Sequence, residues 1–148
     1  MAIRKAVIND FEIVKNITQT TIKSVYPKYY PEGAVNYFLT HHCDNNIRKD
    51  IENGYVYLIS DIGTVTIKEN HINRLFVLPE FQKKGYGKQL MDFAERIISE
   101  EYKEIVTDAS LPAKSLYLKR GYIEIKYNKI ETENGDYLCY DEMKKNVE

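Results

Sequence analysis

Apolar positions recur along this chain with two periods, and the switches between them mark out its elements. Phe11, Val14, Ile17, Thr21 and Val25 fall three or four residues apart, which predicts one buried helical face behind Asp10 as N-cap. The run Tyr26-Pro27-Lys28-Tyr29-Tyr30-Pro31 ends that helix, because proline has no N–H and restrains the residue before it. Two more helices are predicted, Ala34 to His42 and Asn46 to Glu52, the second stopping at Asn53-Gly54. The period then drops to two. Strands at Tyr55–Ser60, Thr64–Lys68 and His71–Val77, joined by short turns, predict an antiparallel meander. An earlier strand is predicted at Ile3–Ile8.

Leu90, Phe93, Ala94, Ile97 and Ile98 return to helical spacing, so a helix is predicted from Tyr86 to about Glu100. Glu104–Asp108 reads as the next strand. A short helix follows, Leu111 to Arg120, capped by Ser110 and ended by Gly121. Tyr122–Lys129 and Tyr137–Met143 read as two last strands turning at Asn134-Gly135, with a frayed tail from Lys144 to Glu148. The result is an α/β or α+β chain with one mixed sheet and helices on its faces.

Composition bounds what such a chain does. It has 148 residues, enough for one domain (1–148) with a real core, and 43% hydrophobic with 29% charged residues marks a globular protein. A net charge of −1 supplies no global field for nucleic acid or an anionic membrane, so any basic function is local. The start Met1-Ala2-Ile3-Arg4-Lys5 has no apolar signal-peptide core, and no apolar run reaches the length of a membrane span. Cys43 and Cys139 lie far apart without paired spacing; neither a disulfide nor a metal site is expected, and a cytoplasmic location fits. His41-His42 are adjacent on a helix and diverge, which makes them a poor metal pair.

The candidate chemistry lies between the third meander strand and the helix from Tyr86. Gly85 and Gly87 stand two apart, flanked by Lys83, Lys84 and Lys88, directly before a helix N-terminus. Glycines let a ligand approach the backbone, and a helix start offers unpaired N–H groups at a positive dipole end. Together they form an anion site suited to phosphate. A P-loop needs Gly-x-x-x-x-Gly-Lys-Ser/Thr, but Gln89 follows Lys88 and no glycine stands five before Gly87. A dinucleotide fingerprint needs Gly-x-Gly-x-x-Gly, but position 90 is Leu. The remaining pattern is Gln/Arg-x-x-Gly-x-Gly/Ala after a strand. Gln82-Lys83-Lys84-Gly85-Tyr86-Gly87 matches it, with Pro79 between strand and loop.

That pattern, with a second block from Thr107 to Tyr122, resembles the acyl-CoA signature of the GNAT acetyltransferase superfamily. The second block, Asp108-Ala109-Ser110-Leu111-Pro112-Ala113-Lys114-Ser115-Leu116-Tyr117 and on to Gly121-Tyr122, looks like the family's Asn-x-x-Ala-x-x-Leu-Tyr-x-x-x-Gly-Phe. Ser110 stands where the family usually has Asn, and the Asp-Ala-Ser-x-x-Ala variant resembles a bacterial-type branch. The resemblance implies a GNAT-like single mixed, mostly antiparallel twisted sheet of about six to seven strands, flanked by about four helices. It also implies acetyl-CoA as cofactor and a primary amine, of a small molecule or a protein, as acceptor.

Residue roles follow from the same resemblance. Backbone groups from Lys83 to Lys88, with Gln82, Gly85, Tyr86 and Gly87 among them, would hold the CoA pyrophosphate. Leu75, Phe76 and Val77 would pair with the pantetheine arm like an added strand. Ser110 would donate a hydrogen bond to the cofactor. Tyr117 would donate a hydrogen bond or proton to the departing sulfur. The position that often carries a carboxylate base holds His71, a residue type that ionises near neutral pH. Asp108 is a further base candidate, and Asn73 can orient the acceptor. Period two would put His71, Asn73, Leu75 and Val77 on one strand face. The expected acceptor wall is Tyr26, Tyr29, Tyr30 and Pro31, with Tyr37 and Tyr57 as further members.

No cysteine lies in either block, so direct transfer in a ternary complex is expected. The alternative from another class is a non-catalytic acyl-CoA-binding or sensing module, which needs neither Tyr117 nor a base. A nucleic-acid module is disfavoured by the small lysine footprint. The final strand, read as a sheet edge, offers pairing with a second copy in a homodimer.

Overall fold

The structure, a computed structural model, describes residues 2–147. Its strands are β1 (Ile3–Lys5), β2 (Val56–Ile59), β3 (Gly63–Lys68), β4 (His71–Val77), β5 (Glu104–Ser110), β6 (Ile123–Glu131) and β7 (Tyr137–Asn146). Its helices are α1 (Phe11–Val25), α2 (Glu32–His41), α3 (Asp44–Glu52), α4 (Tyr86–Ser99) and α5 (Lys114–Lys119). The strands form one seven-stranded sheet in the order β1-β2-β3-β4-β5-β7-β6. All neighbours are antiparallel except β4 and β5.

Two cores cover the two faces. Val14, Ile17 and Ile22 of α1, Ala34 of α2 and Ile47 and Ile51 of α3 pack with Val56, Leu58, Phe76 and Leu138 of the sheet. Leu90, Met91, Ala94 and Ile98 of α4 pack with Val65, Ile72, Ile105 and Met143 on the other side, joined by Tyr117 of α5. Each set follows the period of its element: Phe11, Val14, Ile17, Thr18, Thr21 and Ile22 share one face of α1, Leu90, Met91, Ala94 and Ile98 one face of α4, and Val56 and Leu58 one face of β2.

Several local expectations are corrected. The first strand stops at Lys5, and Ile8–Asp10 is a 3₁₀ turn. Asp10 does not cap α1 with its side chain. Its carboxylate takes two hydrogen bonds from Arg4, each 2.8 Å, and one from the Val7 amide at 2.9 Å. A charged fork with two donors outcompetes a single amide cap. Those bonds lower its pKa from 3.8 to about 2. The stabilisation is therefore complete above about pH 4 and is lost as the pH falls towards 2. Arg4 is half-exposed, so Asp10→Asn is expected to cost only ~1 kcal/mol at pH 7 and to flatten the acid limb of a urea-stability profile.

β5 runs two residues longer than expected, and α5 begins at Lys114 rather than Leu111. Pairing with β7 continues to Ser110–Tyr140, and the Leu111 amide donates 2.8 Å to the Tyr30 hydroxyl instead of opening a helix. Ser110 is thus a strand residue and not a cap. The tail expected to fray from Lys144 is strand to Asn146, which faces Glu104; Glu148 lies outside the described residues. β7 is flanked by β5 and β6, so the sheet edges are β1 and β6, not the final strand.

The β6–β7 hairpin is tied to the start of α2. The Gly33 amide donates to Asp136 Oδ2 at 2.9 Å, and Asn36 Nδ2 to Glu133 Oε1 at 2.6 Å. A Cβ on Gly33 would meet the Glu133 carbonyl at 2.6 Å. Gly33→Ala is expected to destabilise by roughly 1–3 kcal/mol through this forced separation, read from the urea midpoint.

Candidate active site

The site begins where two strands part. β4 and β5 pair in parallel at His71–Val106 and Ile72–Thr107, and the register stops there. The Thr107 hydroxyl donates 2.9 Å to the Ile72 carbonyl at the end of the ladder. β4 continues to Val77 and β5 to Ser110, so their facing backbone groups diverge around an opening. Two cavities occupy it, of about 250 and 310 Å³, sharing Tyr26, Leu75, Phe76, Ser110 and Ala113 in their walls.

A bulge in β4 sorts the side chains between them. Thr66 faces Asn73 and Thr64 faces Phe76, so three steps of β4 oppose two of β3. Arg74 sits in the bulge with φ +45°. The expected single face of His71, Asn73, Leu75 and Val77 is therefore broken. Leu75 and Val77 turn towards α4 with Ile72, while Phe76 joins the α1–α3 core. Arg74 turns towards α2 and α3, where Nε donates 2.9 Å to His42 Nδ1 and the guanidinium pairs with Asp50. Lys68 Nζ reaches the other Asp50 oxygen at 3.0 Å.

The larger cavity runs towards the glycine loop. Gln82, Lys83 and Gly87 line it with Val77, Thr21 and Pro112. Lys83 and Gly85 both adopt left-handed backbone, φ +63° and +89°, which folds the loop back onto the first turn of α4. A Cβ built on Gly85 or Gly87 meets nothing within 4 Å, so the helix start is open to a ligand. Gln82 is committed to the loop itself, donating 2.9 Å to the Val77 carbonyl. Lys84, Gly85, Tyr86 and Lys88 do not line the cavity; Lys88 pairs with Asp92 at 2.8 Å, Tyr86 packs on Phe81, and Lys84 lies over the same ring.

The smaller cavity lies between α2, β4, β5 and β7. Tyr117 lines it while almost wholly buried, 3% exposed, its ring edge-on to Tyr122. Burial pushes its hydroxyl up to about 12, and the nearby Thr107 side chain works against that shift. Tyr26 and Ser110 share a 3.1 Å hydrogen bond in the wall common to both cavities, and burial raises the Tyr26 hydroxyl too. Asp108 stands at the mouth, its carboxyl raised by partial burial and by Glu142, with His71 and His41 opposing.

His71 itself is exposed and lines neither cavity. Asn73 lines the smaller one. Of the tyrosines expected to face the acceptor, Tyr26 does so. Tyr29 borders the larger cavity instead. Tyr30 is a strut: it donates 2.8 Å to the Cys139 carbonyl and accepts from Leu111, which consumes its hydroxyl. Tyr57 packs on Phe93 at 4.9 Å under α4, away from both cavities. Tyr37 lines the smaller one.

Arg74, His42, Phe38 and Tyr140 were not anticipated. Two signals pointed to the first three. A charged residue inside an apolar strand needs a buried partner. Phe38 and His42, like Tyr37 and His41, are four apart and so share a helix face; their rings stack at 6.4 and 6.2 Å. The Arg74 bond assigns the His42 proton to Nε2, because the guanidinium can only donate. Burial and the Arg74 charge push His42 down to about 3, so it is neutral at pH 7.

Comparison with known families places residues 25–146 on the model of the acetyltransferase (GNAT) domain. The chain superposes on a GCN5-related N-acetyltransferase (aminotransferase, class-II) from Rhodopseudomonas palustris with a TM-score of 0.87 and 21% identity, over 99% of this chain and 95% of that one. PaiA N-acetyltransferase from Thermoplasma acidophilum, in complex with coenzyme A, aligns with a TM-score of 0.70 and 22% identity over 99% and 98%. YncA from Salmonella typhimurium, with its cofactor acetyl-CoA, gives 0.74 and 15% over 100% and 94%. A search of curated proteins found no match.

Proposed function

We propose that this chain, which belongs to the GNAT acetyltransferase family, transfers an acetyl group directly to a primary amine in a ternary complex, with residues 1–148 acting as one cytoplasmic domain. The observation that carries the reading is the parting of β4 from β5 after Ile72 and Thr107, with a cavity on either side of a shared wall. One cavity reaches a helix N-terminus built for phosphate, and the other holds an acid and a buried phenol.

Acetyl-CoA is the acetyl donor; when bound it supplies a thioester whose acyl group passes to the amine, releasing the free thiol and one proton. Lys83, Gly87 and the first amides of α4 would hold its phosphates. The edge of β4 from Leu75 to Val77 would hold its pantetheine arm. Ser110, already bonded to Tyr26, would present its remaining hydrogen-bonding capacity to the same arm. Asp108 would take the acceptor's proton at the cavity mouth, where water can carry it away. This reading gives that role to Asp108 ahead of His71 because Asp108 borders the smaller cavity and His71 does not; Asn73 borders it too and would orient the acceptor or a water. Tyr117 would donate its hydroxyl to the departing sulfur.

Gly87→Ala separates the functional reading from a structural one. Alanine at this helix position is expected to raise stability by roughly 0.5–1 kcal/mol, since Gly87 has helical φ and open space beside it. If phosphate sits against that backbone, the added methyl weakens CoA binding by about tenfold or more, as loss of a charge-assisted hydrogen bond does. Calorimetric CoA titration and a melt of one sample check both. Raised stability with unchanged CoA affinity would remove the loop from the site.

A further inference from the structure

The smaller cavity narrows the kind of amine this chain accepts. Among the described residues of its wall, Asp108 is the one carboxylate. Arg74 is the one guanidinium, and its charge is met from behind by Asp50. His42 is neutral, and burial with Arg74 and Lys68 nearby lowers His41 also. The rest of the lining mixes rings with aliphatic side chains: Tyr37 and Phe38 come from α2, Tyr140 from β7, and Ile130 and Leu138 lie among them. At about 250 Å³ the chamber falls below the roughly 300–1,000 Å³ of pockets that take drug-sized ligands. The hairpin tied to Gly33 and Asn36 holds β7 against α2, fixing the separation of the ring-bearing walls.

A polycation would need several carboxylates within the cavity; Asp108 is the one in its wall, with Glu142 beside it outside the lining. A peptide would need a long groove, and here the lining from α2, β4, β5 and β7 surrounds only about 250 Å³. We propose that the acceptor is a compact arylalkyl monoamine, its ammonium held by Asp108 at the mouth and its ring held by Tyr37, Phe38 and Tyr140. Aromatic faces also attract an ammonium that lies above them, so the same rings guide the charge towards Asp108. The inference rests on the acetyl-transfer reading, and its test keeps the two apart.

The probe is phenylethylamine, set against spermidine and a short lysyl peptide. Two readouts are taken on the full chain: binding to the protein saturated with CoA, by calorimetry, and kcat/KM from thiol release with acetyl-CoA. The expected result is tighter binding of phenylethylamine, and a kcat/KM about tenfold or more above the other two. In Asp108→Asn, binding of phenylethylamine weakens about tenfold or more, as when one charged hydrogen bond is lost, while CoA affinity holds. Tyr37→Ala weakens phenylethylamine and leaves CoA affinity unchanged. Preference for spermidine or the peptide would overturn the inference and leave acetyl transfer standing. Thiol release from no amine would overturn acetyl transfer and the acceptor role with it; Asp108-dependent phenylethylamine binding would then leave the cavity as an amine-binding site, and its absence would overturn that too.

Discussion

Tyr117→Phe is expected to lower kcat roughly 10- to 100-fold, the loss of one hydrogen bond to a developing charge, while CoA affinity changes little. The size of the effect follows from the hydroxyl's environment. Burial holds the phenol neutral, with its pKa pushed up from 10 to about 12. A cysteine-like thiol ionises near 8.5, well below the raised phenol, so full proton transfer from Tyr117 to a thiolate would be uphill. In the proposed mechanism the phenol would therefore act chiefly as a hydrogen-bond donor to the departing sulfur, with the proton supplied later by water. Phenylalanine keeps the ring against Tyr122 and fills the same core volume, so stability should barely move. Stopped-flow acyl transfer and CoA titration on the two proteins check this. Unchanged turnover would remove Tyr117 from the chemistry. A loss beyond about a thousandfold would mean that the phenol delivers the proton itself.

Arg74→Met is expected to destabilise the fold by roughly 3 kcal/mol, because it leaves Asp50 buried with one of its two cations gone. Arg74 and Asp50 are 6% and 7% exposed, while the remaining partner, Lys68, is half in solvent. The same change removes the donor that fixes the His42 tautomer in the smaller cavity. Urea unfolding measures the loss. Pairing Arg74→Met with Asp50→Leu should recover much of it, since removing both charges ends the desolvation penalty. A double variant as unstable as the single one would assign the cost to packing at the bulge instead.

Much of this arrangement was legible in the chain. The change from period two to helical spacing on either side of Pro79–Lys88 located β4, the loop and α4. The glycine spacing selected one phosphate pattern from three. What was hidden depends on partners far away in sequence. Alternation places Leu75 with His71, and only the register of β3 against β4 introduces the bulge that separates them. Tyr30 looks like a pocket residue until β7 and Leu111 claim its hydroxyl from 109 and 81 residues away. Ser110 precedes a proline-containing turn and reads as a cap, but the β7 ladder holds it in strand and Tyr26 takes its hydroxyl. Local chemistry proposes the partners of each group; long-range pairing chooses among them.

In the proposed reading the parted strands hold a catalytic site for acyl transfer and are more than a cradle for CoA. The direct measurement is free-thiol release from acetyl-CoA by the full chain across a broad panel of primary amines. Release that requires an amine, and falls in Tyr117→Phe without loss of CoA binding, is the predicted result. Tight CoA binding with no amine-dependent release from any member of the panel would contradict it and leave an acyl-CoA-binding module.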